Sequence, residues 1–241
     1  MDNVLKQDVL KEIAPNGVIN FAINFGNPIL AQNVEGTPAG ISVALAKALA
    51  AELGVDFKLN TFDAAGKVFA SLPEGLWEIA FLAIEPVRAD QLSFTSPYVH
   101  LDGTYLVPQD ANFQSVNELD QTDVQIAVGK GAAYDLFLSR TLENAILKRS
   151  ETSAFAVTDF IKFKFDAAAG IRSYLHDYAI KNPEYRVLDD AFTQIRQAIA
   201  TPKKNVKTAI YLEDFLSRKK SEGFIVQALI ESSQSPVLAA P

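Results

Sequence analysis

Apolar and polar positions in the first third of the chain alternate between the spacings of strands and helices. Residues 17–24 have the composition of a strand, and residues 41–53 repeat Ile and Leu at helical spacing before Gly54, a residue type that often closes a helix. Residues 55–61 predict a second strand. Residues 77–84 form a continuous apolar run, short enough for a strand buried on both faces. The pattern therefore predicts a β-turn-α-β opening.

The same alternation begins again after Pro108. Residues 125–128 predict a strand, the glycine loop 129–131 follows, and residues 132–138 predict a helix with Leu136 and Phe137 facing inward. The remaining predicted elements are helices at 66–72, 153–161, 170–178, 206–221 and 224–231, and strands at 163–168 and 186–188. Alternating strands and helices are typical of α/β folds with mostly parallel sheets. Because the pattern restarts, we predict two Rossmann-like lobes rather than one long sheet.

Charge and composition narrow the classes of function. The chain has 241 residues, a net charge of −7 and no dense run of Lys or Arg, so we expect no nucleic-acid partner. The basic clusters 203–207 and 218–220 fall in amphipathic patterns typical of solvated helix faces. With no cysteine and two scattered histidines, the sequence favours neither a disulfide framework nor a metal site.

Membrane and export signals are weak in this sequence. No apolar stretch approaches the roughly 18 residues that span a bilayer. Residues 1–12 are polar and lack the apolar segment of a signal peptide. Two interpretations follow: a cytoplasmic chain, or an exported chain whose signal peptide is absent from this sequence.

Residues 81–98 combine an apolar strand, Arg88 and a Phe-Thr-Ser-Pro-Tyr turn. Together with Gly-Thr-Pro-Ala-Gly-Ile-Ser-Val at 36–43 and the loop 128–131, this stretch resembles the periplasmic solute-binding proteins of polar amino-acid type. These are the family 3 components of ABC importers. The resemblance implies a periplasmic binding protein type II fold, a periplasmic or extracytoplasmic location, a monomer, an ABC transporter permease as partner and no cofactor.

The resemblance also implies a division of the chain. Residues 1–104 and 198–241 would form lobe one, and residues 108–194 would form lobe two. Segments near 104–107 and 194–197 would form a hinge that closes the lobes around a ligand. In this arrangement the ligand lies at the ends of strands, where helix N-termini present unpaired N–H groups.

Arg88 is the first candidate for ligand binding. Its guanidinium is always charged and presents a planar fork that fits a carboxylate. The resemblance implies that Arg88 holds the carboxylate of the ligand. From the residues alone, a surface Arg paired with Glu85 or Asp90 is an open alternative.

The rest of the amino-acid-binding set departs from the family pattern. Ala83 stands where a hydroxyl residue is usual, and Ala132 and Ala133 stand where a Thr is usual after Gly131. Backbone N–H groups of the glycine loop could still bind an anion, because such a loop opening a helix forms an anion nest.

The acid expected to receive a ligand's ammonium group is also absent. Ile171 and Arg172 stand near its position. If Arg172 faces the ligand, it favours a second anionic group, as in a dicarboxylate without a free amino group. If Arg172 lies on a helix face, Asp177 or Asp166 is its expected partner.

Four further residues are weaker candidates for ligand contact. Asn24 can donate and accept hydrogen bonds and Phe25 can pack on a ligand, although turn chemistry accounts equally well for this loop. Tyr98 could contact a ligand or belong to the core. Glu85 is a candidate polar contact.

From these features we predict a binding protein that captures a small anionic ligand, an amino acid or more favourably another carboxylated organic acid, and we assign no catalytic residue and no metal ligand. Two alternatives remain open. One is a cyclohexadienyl dehydratase-like enzyme with Glu85 as the acid. The other is an extracytoplasmic ligand-sensing domain. The sequence has no nucleophile elbow, P-loop or dinucleotide fingerprint.

Overall fold

A computed structural model describes residues 3–241 and divides the chain into two compact units. Unit 1 contains the residues up to His100 together with Arg196–Pro241, and unit 2 contains Leu101–Ile195. The chain thus passes from unit 1 to unit 2 after His100 and returns after Ile195. Met1 and Asp2, which begin the polar N-terminal segment, lie outside the described residues.

The elements follow one another in α/β alternation. Up to the first crossing they are α1 (Asn3–Ile13), β1 (Val18–Asn24), β2 (Gln32–Val34), β3 (Thr37–Ala39), α2 (Ile41–Leu53), β4 (Asp56–Phe62), α3 (Ala65–Ala70), β5 (Ile79–Ala83), α4 (Pro86–Ala89), β6 (Leu92–Phe94) and β7 (Val99–Pro108). After it come β8 (Gln125–Gly129), α5 (Ala133–Thr141), β9 (Ile146–Ser150), α6 (Ser153–Phe163), β10 (Ala167–Ile171), α7 (Arg172–Lys181), β11 (Tyr185–Val187) and β12 (Thr193–Pro202). The chain ends with α8 (Val206–Ser221) and α9 (Phe224–Glu231).

The sheet of unit 1 is built around β1 and β5. Strand β1 pairs in parallel with both β4 and β5, and the return segment of β12 pairs antiparallel with β5. All five residues of β5 are buried, as expected for a central strand covered on both faces. Helix α2 buries Leu45 and Leu49 and ends at Gly54, whose φ of 70° places it in the left-handed region that favours glycine.

The sheet of unit 2 has a parallel part and an antiparallel part. Strand β8 pairs in parallel with β9 and β10, while β7 runs antiparallel to β10 and β11. Helices α6 and α7 cover this sheet with Val157, Phe160 and Leu175, which pack on small side chains such as Ala127 and Ala168. Small strand residues let these bulky helix side chains approach the sheet closely.

Each unit has an edge at which its parallel strands end, which we call its carboxyl edge. In unit 1 the strands β1, β4 and β5 end there, followed by α3 after β4 and α4 after β5. In unit 2 the strands β8, β9 and β10 end there, and α5, α6 and α7 begin within a few residues. Ligands of open α/β sheets bind at carboxyl ends of strands, so residues at these edges are the candidates for ligand contact.

The predicted α/β class with mostly parallel strands is confirmed, and the bounds predicted for α2, α8 and α9 match. The strand predicted at 163–168 is wrong, because α6 continues to Phe163 and ends at Lys164, with β10 beginning at Ala167. Helix α6 runs on because Val157 and Phe160 supply its buried face. Helix α1, the β2–β3 hairpin and β9 were not predicted from the sequence pattern.

One prediction of detail also needs correction. On α5 the buried residues are Ala133, Tyr134, Asp135 and Leu138, whereas Leu136 and Phe137 are only half-buried. Residues 104–107, the first predicted hinge segment, lie within β7 inside unit 2. Their role as a hinge stays a prediction. No helix among residues 3–241 has the length and apolarity needed to cross a membrane.

Candidate functional site

Arg88 lies at the carboxyl edge of unit 1, on the short helix α4 that follows β5. The helix begins at Pro86, a favourable first residue because proline has no N–H to leave unpaired. Arg88 turns back toward the strand, and its Nη1 donates a 3.0 Å hydrogen bond to the carbonyl oxygen of Ala83. Only 1% of Arg88 is exposed. The chain therefore holds a positive charge in its interior, at the end of a central strand.

Glu85 supplies negative charge beside this guanidinium. It is the residue before α4 and is 7% exposed. Burial lowers the pKa of Arg88 to about 10, and the charge of Glu85 acts in the opposite direction. Arg88 thus stays protonated at neutral pH. Of the two acids that the sequence analysis offered as partners, Glu85 is the one that interacts with it, while Asp90 is exposed.

In the loop after β1, several polar groups form hydrogen bonds with other groups of the protein. The Oδ1 of Asn24 accepts a 2.9 Å hydrogen bond from the N–H of Gly26, and the N–H of Phe25 donates to the carbonyl of Phe62. These contacts fit the turn interpretation. The Nδ2 of Asn24 has no hydrogen-bond acceptor among the described residues, so it remains able to donate to a ligand.

Tyr98 lies in the core of unit 1, and its contact with a ligand stays a prediction. The side chain is 0% exposed and its ring meets that of Phe81 edge-on at 6.3 Å. Its hydroxyl lies 3.2 Å from the Oγ of Ser42, and burial raises its pKa. In this structure the Tyr98 side chain therefore contacts protein groups rather than solvent.

In the glycine loop of unit 2, the position expected for a ligand anion is taken by a carboxylate of the protein itself, that of Asp135. Gly131 has a φ of 70°, and its N–H donates a 2.8 Å hydrogen bond to the Oδ2 of Asp135. The same carboxylate accepts from Nε of Arg149 at 3.0 Å through Oδ1. Asp135 is 3% exposed. The N–H of Gly131, which we expected to bind a ligand anion, therefore already donates its hydrogen bond to the carboxylate of Asp135.

The neighbouring amides of this loop are also engaged. The N–H of Lys130 donates to the carbonyl of Ser150 at 2.8 Å, and the N–H of Ala132 donates to the carbonyl of Gly129 at 3.0 Å. Gly131 and Ala132 thus shape the loop around Asp135. An incoming anion would have to compete with these contacts.

Arg172 is the first residue of α7, at the carboxyl edge of unit 2. Its Nη1 and Nη2 donate to the carbonyl oxygens of Leu188 and Asp190, each at 2.9 Å. Its Nε lies 3.3 Å from Oδ2 of Asp102, which corrects the expected pairing with Asp166 or Asp177. The side chain is 30% exposed. Arg172 joins the segment after β11 to β7 within unit 2.

Asp135 is the residue that the sequence analysis missed. Its position, four residues after Gly131 and in the first turn of a helix, is where an acidic side chain can reach back to a loop amide. That spacing was the available signal. Among residues 3–241, no group of His, Asp and Glu is arranged to hold a metal ion.

Comparisons with known proteins agree with this architecture. The family described as bacterial extracellular solute-binding proteins, family 3, matches residues 20–229. No curated protein sequence matches the chain. An amino acid ABC transporter substrate-binding protein from Streptococcus pneumoniae, solved bound to L-arginine, shares 22% identity, with a TM-score of 0.78 over 92% of this chain and 97% of that one.

Two further solved structures are similar. Cysteine-binding protein from Campylobacter jejuni shares 22% identity, with a TM-score of 0.78 over 96% of this chain and 93% of that one. An ancestral amino acid-binding protein, a precursor of cyclohexadienyl dehydratase, shares 24% identity, with a TM-score of 0.77 over 92% and 98%. At these identities the likeness is one of fold, and the fold is that of periplasmic binding proteins of type II.

Proposed function

Because this chain belongs to the bacterial extracellular solute-binding proteins of family 3, we propose that it captures a small carboxylated solute outside the cytoplasm and delivers it, as a monomer, to the permease of an ABC importer. The observation that carries the chemical part of this proposal is the buried Arg88 at the carboxyl edge of unit 1. A buried guanidinium that keeps its charge needs an anionic partner, and a carboxylate fits it in two-point geometry.

In this proposal Glu85 and the ligand compete for Arg88. Glu85 balances the guanidinium when no ligand is bound. Since Arg88 is 1% exposed, the ligand carboxylate reaches it only after groups around it move, and in this proposal Glu85 is one of them. The exchange replaces one carboxylate partner by another, which keeps the buried positive charge compensated throughout.

The contacts in unit 2 favour a ligand with one carboxylate over a dicarboxylate. Arg172 is held by Asp102 and by two carbonyl groups, and the Gly131 amide is held by Asp135. Neither group is poised for a second anion. We therefore narrow the ligand to a small monocarboxylic acid, with or without an amino group.

The amino group is the remaining question about the ligand. The similar proteins from Streptococcus pneumoniae and Campylobacter jejuni are described as an amino acid ABC transporter protein and a cysteine-binding protein, which supports an amino acid. Ile171 and Arg172 offer no carboxylate to an ammonium group, which supports a ligand without one.

A melting-temperature screen tests this proposal. L-amino acids, their deaminated analogues and dicarboxylates are added to the purified chain, and the matching compound raises the melting temperature by about several degrees at saturation. In Arg88→Lys the charge remains but the two-point fork is lost, so the shift disappears. Arg140→Lys, at an exposed position on α5, is the matched control and keeps it. A shift that survives Arg88→Lys unchanged contradicts the anchor.

A dehydratase-like enzyme is the second candidate. It is favoured by the similarity to a precursor of cyclohexadienyl dehydratase and by the buried carboxyl group of Glu85. Such an enzyme needs an acid that reaches the leaving hydroxyl of its substrate. Incubation of the chain with prephenate and arogenate, followed by product detection in the ultraviolet, decides between the two functions. Turnover that is lost in Glu85→Gln identifies the enzyme.

We also propose that capture involves a hinge motion at the two chain crossings, after His100 and after Ile195. Small-angle X-ray scattering with and without the ligand found in the screen tests this. A decrease in the radius of gyration on binding supports a hinge, and an unchanged radius contradicts it.

A further inference from the structure

A cavity lies in unit 2, away from its carboxyl edge. It has a volume of about 750 Å³ and is lined in part by Phe165 and Asp166, the residues just before β10, and by the segment after β7. Strands β8 and β10 run in parallel and begin on this side. The cavity is therefore at the amino ends of the strands, at the opposite edge of the sheet from the glycine loop. Its volume is within the range of small-molecule sites.

Aromatic side chains form much of the cavity wall. Phe113, Phe160, Phe165 and Tyr185 line it, and the rings of Phe160 and Tyr185 meet at 5.3 Å and an interplanar angle of 64°. Such rings offer apolar area, and their faces attract cations.

The segment that carries Phe113 is held in place by hydrogen bonds. The Nη2 of Arg186, on β11, donates to the carbonyl oxygens of Ala111 at 2.9 Å and of Phe113 at 2.5 Å. The N–H of Gln109 donates to the carbonyl of Glu184 at 2.8 Å. These contacts fix one wall against β11, so a ligand entering the cavity would lose little free energy in ordering it.

The ionised groups around the cavity are mostly acidic. Glu118, Asp166 and Glu184 line it together with Lys164, and the guanidinium of Arg186 lies behind the wall that carries Phe113. Glu118 accepts from the N–H groups of Gln114 and Ser115 and so belongs to a helix cap. This balance repels anions and favours positively charged ligands.

Asp166 is a carboxylate with one oxygen engaged and one available. Its Oδ2 accepts a 2.7 Å hydrogen bond from the N–H of Gln125, which fixes the side chain at the cavity. Its Oδ1 accepts no hydrogen bond from the described residues. The side chain is half-buried beside Phe165. A fixed carboxylate oxygen next to aromatic rings is suited to an ammonium group on an apolar body.

We propose that this cavity binds a small organic cation, an ammonium group on an aromatic or branched apolar body, through Oδ1 of Asp166 and the surrounding rings. The site lies within unit 2 and shares no residue with the Arg88 site, so the proposal does not rest on the proposed function.

Isothermal titration with three compounds of one shape tests the charge preference. The compounds are 2-phenylethylamine, 2-phenylethanol and 3-phenylpropionate. A charge-assisted hydrogen bond predicts that the amine binds about tenfold more tightly than the alcohol, and that the acid binds least. Equal affinity for the amine and the alcohol, or no binding of the amine, overturns the proposal.

Two variants of equal charge locate the site. Asp166→Asn keeps an oxygen for the Gln125 amide but removes the carboxylate, so the amine affinity falls about tenfold. Asp189→Asn makes the same charge change at an exposed position of unit 2 and leaves the affinity within about twofold. Circular dichroism melting shows whether both variants are folded. If Asp166→Asn lowers the affinity for the amine no more than Asp189→Asn does, the proposal is overturned.

Amide chemical shifts give a readout that does not depend on any variant. On addition of 2-phenylethylamine we expect the largest changes in amide chemical shift at Phe113, Phe165 and Asp166. Shifts centred on the glycine loop of unit 2 or on Arg88 would place the amine elsewhere and overturn the assignment.

Discussion

The guanidinium of Arg88 donates a 3.0 Å hydrogen bond to the carbonyl oxygen of Ala83, the last residue of β5. Replacement of the usual hydroxyl residue by Ala83 removes a side-chain donor, but the backbone at this position still orients the arginine. The position of Arg88 is thus set by the end of a central strand, a rigid part of unit 1, rather than by a flexible loop.

Glu85→Gln removes the internal partner of Arg88. Breaking a buried ion pair on one side costs about 3–5 kcal/mol of the free energy of unfolding. The ligand identified by the screen would then stabilise the variant more than the wild type, because it supplies the missing negative charge without displacing Glu85. Urea unfolding with and without ligand measures both effects. In the double variant Glu85→Gln, Arg88→Met the stability without ligand recovers in part.

Asp135→Ala removes the carboxylate that accepts from the N–H of Gly131 and from Nε of Arg149. Asp135 is buried, so the free energy of unfolding should fall by about 1–3 kcal/mol. Asp135→Asn retains an oxygen for the Gly131 amide and should lose less. Urea unfolding of both variants provides the comparison. Equal losses would show that the hydrogen bond to Gly131 contributes little and that the carboxylate charge matters more.

Tyr98→Phe separates the core role from a ligand role. The change removes a hydroxyl that lies 3.2 Å from Oγ of Ser42 and keeps the buried ring. The expected cost is about 0.5–1.5 kcal/mol in the free energy of unfolding. If Tyr98 acts only in the core, the ligand-induced rise in melting temperature is unchanged, and its loss would identify the Tyr98 hydroxyl as a ligand contact.

His100 gives unit 1 a dependence on pH. Burial lowers its pKa, and the charges of Lys220 and Arg196 lower it further. Its Nε2 is buried without a hydrogen-bond partner among the described residues. Between the folded-state pKa and the ordinary value of about 6.5, the unfolded chain binds more protons than the folded chain. The free energy of unfolding should therefore fall as the pH drops below about 6.5.

His100→Gln is the variant for this effect. Guanidinium unfolding at a series of pH values should show a shallower loss of stability for His100→Gln than for the wild type. His176→Gln replaces the other histidine of the chain, exposed on α7, and should follow the wild-type profile. A wild-type profile in His100→Gln would mean that other groups cause the loss.

The sequence predicted elements well where one residue pattern extends over many positions. Helices α2 and α8 have long apolar faces, and β5 is apolar throughout, so spacing alone defines them. Strand β9 has the sequence Ile-Leu-Lys-Arg-Ser, with little alternation, and its strand form depends on pairing with β8. Such partners come from tertiary structure, which a local pattern does not contain.

The candidate site likewise combines features that the sequence predicts with contacts that only the tertiary structure shows. Residue type and motif identify Arg88 as a charged group at the end of an apolar strand. They do not reveal that Asp102 lies beside Arg172, since this contact joins residues 70 positions apart. The contact between Asp135 and Gly131 spans only four residues, so the spacing could have indicated it. The carbonyl acceptors of Arg172, at Leu188 and Asp190, are backbone groups and leave no trace in residue type.

The order of the segments has a consequence for synthesis on the ribosome. Unit 2 is one continuous segment, Leu101–Ile195, whereas unit 1 needs residues 197–200 of β12 to pair with the outer side of β5. The unit that starts the chain is therefore completed last. Until β12 emerges, the nascent polypeptide carries β5 with an unpaired, wholly apolar edge, which is the kind of edge that recruits other chains.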